Sequence, residues 1–223
     1  MPSWKIHLNL AEKIKIKYKN KDAFLLSNVA PDIENGWILK DVRQPVDSAV
    51  SHFYAQKCVG QQLPDLHAFL KHNLHTLFTD VGLGYYCHLL TDYYWNNFVN
   101  IKCYIYDTSG MIIGIHTLKG DVTGDKKFCT SLKQKDFQIF SNSLKLNERL
   151  VFENLSKTDI ANFENFFHIP PADLQKAVCL INSLTPPPSP HEETLLFTVY
   201  DYNLLHDDCI RFVESEIYRL LNN

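Results

Sequence analysis

The sequence contains no C-x-x-C pair: its six cysteines, Cys58, Cys87, Cys103, Cys129, Cys179 and Cys209, stand apart. This excludes a zinc ribbon and a dithiol redox site, and it fits scattered free thiols in a reducing cytoplasm. No apolar run approaches the ~20 residues that a membrane span needs, so no transmembrane segment is expected. The opening MPSWKIHLNL lacks the basic-then-apolar order of a secretion signal, so the mature chain is expected to begin at or next to Met1 and to be cytoplasmic. Net positive charge is missing too. A formal charge of -3 and a pI near 6.3 leave no footprint for double-stranded nucleic acid. Only KIKIKYKNK concentrates lysine, at Lys13, Lys15, Lys17, Lys19 and Lys21, and it reads as a solvated helix end. No internal repeat is visible.

What the chain does have is apolar surface. With 223 residues, 45% hydrophobic and 13% aromatic, it can bury one substantial core, and residues 1–223 read as a single domain. Ser3 is a suitable N-cap for a helix running from residue 4 to about residue 18. Asp22 can cap a second helix, DAFLLSNVA, which Pro31 should end, because the residue before proline avoids helical angles. IENGWILKDVRQPVD reads as a loop with a turn at Asn35-Gly36. Pro64 opens PDLHAFLKHNLHTLF, whose Leu66, Phe69, Leu70, Leu74, Leu77 and Phe78 repeat at three and four residues. The next helix, 81–97, is apolar nearly all round and therefore central. Residues 101–125 alternate about Thr108-Ser109-Gly110 as an inserted β-hairpin. Helical patterning returns at 132–146, 156–167, 171–184 and 203–221, with TPPPSP at 185–190 as a stiff linker. The predicted fold class is all-α, a multi-helix bundle with a small β insertion.

Within the central helix, YYCHLLTDYYWNNF places His88 and Asp92 four residues apart, on one helical face. Burying an imidazole and a carboxylate without partners costs several kcal/mol, of the order of the penalty for unpaired polar groups. An ion bound by both would offset that cost, and so would an ordinary buried ion pair. Gly84 and Asn96 extend the face by one turn each way; the glycine leaves room for a close approach, and the asparagine can bond to a ligand. Three further notches of polar residues lie upstream: His7 in K-I-H-L, Asp32 in V-A-P-D-I and His52 in V-S-H-F.

In order and context these elements, W-x-x-H (Trp4, His7), N-x-A-P-D (Asn28 to Asp32), S-H-F (Ser51 to Phe53) and Y-C-H-L-L-T-D-Y-Y-W (Tyr86 to Trp95), resemble the zinc-dependent phospholipase C family. That helical metallohydrolase superfamily also contains single-strand-specific nucleases. The resemblance covers roughly the first 100 residues and implies a phospholipase C-like helical fold. It also implies that Asp32, His52, His88 and Asp92 hold one zinc, that Asp92 bridges to a second ion also held by His7, and that Asp32 is a candidate general base. Imidazole and carboxylate are ordinary zinc ligands, and two such ions can clamp a phosphate ester while activating a water for in-line attack. The implied activity is zinc-dependent phosphoric-ester hydrolysis on a small phosphate ester or lipid headgroup, with one or two divalent ions. The alternatives are a nucleotide or single-strand nucleic-acid phosphodiesterase, or a non-catalytic helical metal-binding protein.

The chain departs from the family at two points. Met-Pro-Ser precedes Trp4, so the terminal tryptophan amine that ligates metal in the secreted enzymes does not carry over, and Trp4 is expected to pack beside the site. A third ion would need an acid four residues after a downstream histidine, and none of His116, His168, His191 or His206 has one. At most two ions are therefore expected. His67, His72 and His75 read as exposed or boundary residues, His116 as structural and His206-Asp207-Asp208 as a surface stretch. Tyr85, Tyr86, Tyr93, Tyr94 and Trp95 read mostly as core. Asp121 and Asp125 lack the ligand density of a calcium loop.

Overall fold

The computed structural model describes residues 2–42, 45–54, 63–183 and 193–222. The linker at 185–190, Cys58 and His191 lie outside the described residues. The chain is mostly helical with one small antiparallel sheet. Helices α1 (Trp4–Lys13), α2 (Lys21–Ser27), α3 (Ala30–Glu34), α4 (Ser48–Ser51) and α5 (Leu66–Asn73) precede the long α6 (Asp80–Lys102). Strands β1 (Tyr104–Tyr106), β2 (Ile112–Thr117) and β3 (Gly120–Thr123) follow. Then come α7 (Lys126–Ser143), α8 (Lys157–Phe167), α9 (Pro171–Ser183) and α10 (Val199–Asn222).

The axis of the fold is α6, as its all-round apolarity predicts. Its Thr79 N-cap accepts a hydrogen bond from the Gly82 amide at 3.0 Å. Asp80 in the first turn accepts from the Lys19 and Asn20 amides, and Asn20 in turn caps α2. These bonds tie the start of α2 to the start of α6, and the two helices then pack closely along their length. The close approach requires glycine: a Cβ on Gly84 would lie 2.4 Å from the Phe24 carbonyl oxygen and 2.8 Å from the Ser27 Cβ. Farther along α6, Trp95 is fully buried among Phe137, Phe140 and Tyr202 from α7 and α10.

Several local expectations are corrected. The first helix stops at Lys13 instead of continuing to residue 18. Beyond it Ile14 is buried, Lys15 exposed, Ile16 half-buried and Lys17 exposed, so the lysine-rich stretch is an extended segment whose isoleucines face the core. Its Lys15 amide donates to Glu214 of α10. Pro31 does not end a helix; it sits in the first turn of α3, where its missing N–H costs nothing. Leu74 and Phe78 are exposed because α5 tightens into a 3-10 turn over Leu74–Phe78, which breaks the 3.6-residue phase. The β insertion has three strands in the order β1-β2-β3 instead of a simple hairpin. In the first connection Asp107 accepts from the Ser109 and Met111 amides, and Gly110 has φ 83°.

Candidate metal centre

The three upstream notches and the central helix converge. His7 projects from α1, Asp32 from α3, His52 from the C-terminal end of α4, and His88 and Asp92 from α6. All five are buried, with Asp32 the most exposed at 4%. His7 Nε2 lies 3.4 Å from Asp92 Oδ1, His52 Nε2 lies 3.6 Å from Asp92 Oδ2 and 3.5 Å from Asp32 Oδ1, and His88 Nε2 lies 3.6 Å from Asp92 Oδ2. None of these atoms has a hydrogen-bond partner. The separations are too long for good N–H···O bonds. They match the edge of a ligand tetrahedron, which is about 3.3–3.4 Å when each donor sits ~2.0–2.1 Å from a zinc-sized ion.

Ring orientation is set from behind. His88 Nδ1 donates to the Asn28 carbonyl oxygen at 2.8 Å, which leaves the Nε2 lone pair pointing at the cluster. His52 Nδ1 pairs with the Ser51 hydroxyl at 2.9 Å, again freeing Nε2. A backbone carbonyl or hydroxyl behind a ligating imidazole is a common way to fix its tautomer. Ser51 is itself held, since its carbonyl accepts from the Tyr85 hydroxyl at 2.5 Å, and the same hydroxyl lies 2.9 Å from Glu34 Oε2. Phe53, at φ 51°, turns the chain sharply just after His52.

The electrostatics suit cation binding. Burial, followed by the charge on His88 stacked at 4.0 Å, pushes His7 down to about 4, so its imidazole is neutral. Burial pushes the Asp92 carboxyl up, but His7 and His88 together outweigh it and hold it well below the usual carboxylate range. Burial opposes ionisation of Asp32 in the same way, and the neighbouring His52, His88 and His7 bring it below its ordinary value. The site therefore combines ionised carboxylates with at least one neutral imidazole.

Two groups of side chains could each hold an ion: His7, His88 and Asp92, and Asp32, His52 and His88. Asp92 faces both groups, turning Oδ1 toward His7 and Oδ2 toward His52 and His88. Asn96 does not bond to a ligand and instead lines a cleft beside the site. That cleft, about 260 Å³, is also lined by Trp37, Tyr54, Asn100 and Lys133. The Trp37 and Tyr54 rings lie 5.3 and 5.4 Å from the His52 ring, and burial, then Asp92 and Asp32, raise the Tyr54 hydroxyl well above its ordinary pKa.

Trp4 is half-buried against the core at the start of α1. His67, His72 and His75 are exposed. His116 pairs with Asp121 on the surface at 2.7 Å, and Asp125 caps α7. His206 is a correction: it is fully buried, with Nε2 2.9 Å from Asn9 Oδ1, while Asp207 and Asp208 beside it are exposed. Sequence reading missed Lys133. Its signal was its spacing, for it falls on the stripe Cys129, Phe137, Phe140 that α7 turns inward, where a lysine is out of place.

The described residues thus form a mostly helical chain with a small three-stranded sheet, in which buried histidines and aspartates could hold a metal ion. No family model, no curated protein and no solved structure matches it. Among the described residues no helix is long and apolar enough to cross a membrane.

Proposed function

We propose that this chain is a metal-dependent hydrolase of phosphate esters, built like the zinc-dependent phospholipases C that its first 100 residues resemble. The observation that carries the reading is the set of orphaned donor atoms: buried imidazole nitrogens and carboxylate oxygens face one another at 3.4–3.6 Å with no hydrogen bond among them. Leaving such groups unsatisfied is costly, and a cation would satisfy all of them together. Asp32, His52 and His88 form one three-donor set and His7, His88 and Asp92 another; the resemblance would add Asp92 Oδ2, 3.6 Å from His52 and His88, to the first.

A divalent ion there would supply Lewis acidity toward a phosphoryl oxygen and lower the pKa of a coordinated water. The chain's own residues do the rest. Asn28 and Ser51 hold the imidazoles in the ligating tautomer. Asp32, ionised and at the edge of the cluster, would accept a proton from an attacking water. Trp37 and Tyr54 wall the side next to His52.

Protein purified without a nickel column should contain zinc or a similar ion at one or two equivalents and should hydrolyse phosphomonoesters or phosphodiesters. Metal-free preparations should recover activity on adding zinc. Absence of both bound metal and metal-stimulated turnover across such a panel would overturn the reading.

The near-complete burial of all five side chains favours a second reading, a helical protein with a structural metal and no catalysis. The two separate at His52→Ala: a loss of melting temperature with no turnover to lose, under any metal, supports the structural reading. Loss of turnover with a modest thermal shift supports the hydrolase.

A further inference from the structure

The wall of the cleft beside the metal centre carries a buried lysine and a buried asparagine, Lys133 and Asn100. Lys133 is 6% exposed, and among the described residues no carboxylate lies within ion-pair distance of it. The one acid a single turn away on α7, Asp136, is already committed. Its oxygens accept from the Leu195 and Leu196 amides at 2.7 Å and from the Tyr202 hydroxyl at 3.0 Å. Lys133 instead has the Phe137 ring 5.6 Å from its Nζ. Across the cleft, on α6, Asn100 is 8% exposed and its amide Nδ2 has no hydrogen-bond partner. Lys126 adds an exposed ammonium at the start of α7, where the cleft is lined by it as well.

A buried ammonium with no carboxylate paired to it among the described residues and a buried amide donor without an acceptor are both costly, and one anionic oxygen cluster would satisfy both. A phosphate or carboxylate offers several acceptors to a lysine and to an amide at once. The cleft is small, about 260 Å³, below the usual range for drug-sized ligands. It lies against His52, which groups with Asp32 and His88, through Trp37 and Tyr54.

We propose that this cleft binds a second anionic group of the substrate on Lys133 and Asn100, so that the substrate is a compact phosphate ester carrying a further phosphate or carboxylate a few bonds from the scissile phosphorus. The proposal rests on the hydrolase reading for the first phosphate only; the second subsite stands on its own donors. It disfavours a zwitterionic lipid headgroup, whose outer end is cationic and would face Lys133.

Three probes differ only in their outer end: propyl phosphate, 3-phosphonooxypropanoate and propane-1,3-diol bisphosphate. In calorimetric titrations of the zinc-loaded full-length chain, the latter two should bind at least tenfold more tightly than propyl phosphate, and whichever binds better tells carboxylate from phosphate. Lys133→Met, an apolar replacement of similar length, should bring all three to within about twofold of one another. Asn100→Asp should do the same by repulsion, and Lys133→Arg should keep most of the gap. Equal affinities in the unaltered protein, or a gap that survives both Lys133→Met and Asn100→Asp, would overturn the proposal. Turnover is read separately, with these esters and bis(p-nitrophenyl) phosphate. A tenfold gap without turnover sinks hydrolysis and keeps the anion subsite, whereas turnover without a gap does the reverse.

Discussion

Asp92 and Asp136 are both fully buried aspartates on long helices, yet their surroundings differ. Asp136 accepts three hydrogen bonds between 2.7 and 3.0 Å, from two amides and a tyrosine, and so secures the start of the 193–222 segment against α7. Asp92 accepts none and faces three imidazole nitrogens at 3.4–3.6 Å. The first carboxylate is satisfied by the protein alone. The second is arranged as though one more participant were expected. Glu34 is an intermediate case: it is buried, and the Tyr85 hydroxyl donates to its carboxylate.

The largest effect that would break this comparison comes from metal. With zinc in thousandfold excess over its dissociation constant, linkage adds about 4 kcal/mol to stability, and Asp92→Asn should abolish that gain. In metal-free protein the same substitution should cost less, because only the attraction of the neighbouring imidazoles is lost and no hydrogen bond. Denaturant melts with and without zinc check both statements, and a large penalty in the metal-free form would show that Asp92 is a structural acid like Asp136.

Next comes pH. Burial raises Glu34 to about 7, more than the Tyr85 hydroxyl lowers it, so the folded chain holds a proton there that the unfolded chain releases near its ordinary 4.5. That contribution is fully present below pH 4.5 and is lost as pH rises through about 7, a change of at most about 3 kcal/mol. Glu34→Gln should flatten the stability profile over that window. Asp136→Asn should cost about 2 kcal/mol at any metal concentration, within the range for bonds to a charged acceptor. Smallest is Gly84→Ala, about 1–2 kcal/mol for forcing α2 from α6, measurable as a lower denaturation midpoint; a variant that also loosened zinc would tie helix packing to ligand geometry.

Much of this was legible in the chain itself. The central helix announced itself by apolarity on every side, and His88 and Asp92 by their four-residue spacing. Gly84 was readable as a close approach, although not which backbone would fill it. The extended run after Lys13 was misread as helix because Ile14 and Ile16 fit both periods; packing against α10, invisible locally, decided it. Lys133 went unread for a related reason, since a single charge within an inward stripe gains meaning only when the cleft beside it is known. The two acids after His206 predict a surface stretch, while Asn9, its partner, lies 197 positions away in sequence.

The division of Asp92 between two neighbours also bears on how cations would load. One carboxyl group turned outward in two directions cannot rotate to suit one side without withdrawing from the other. Occupancy at either position therefore constrains the other, and by reciprocity each ion must alter the affinity of its neighbour by the same factor. A titration of the metal-free chain should depart from the hyperbola of two independent equilibria, with a steepness that measures how firmly α6 holds this one side chain.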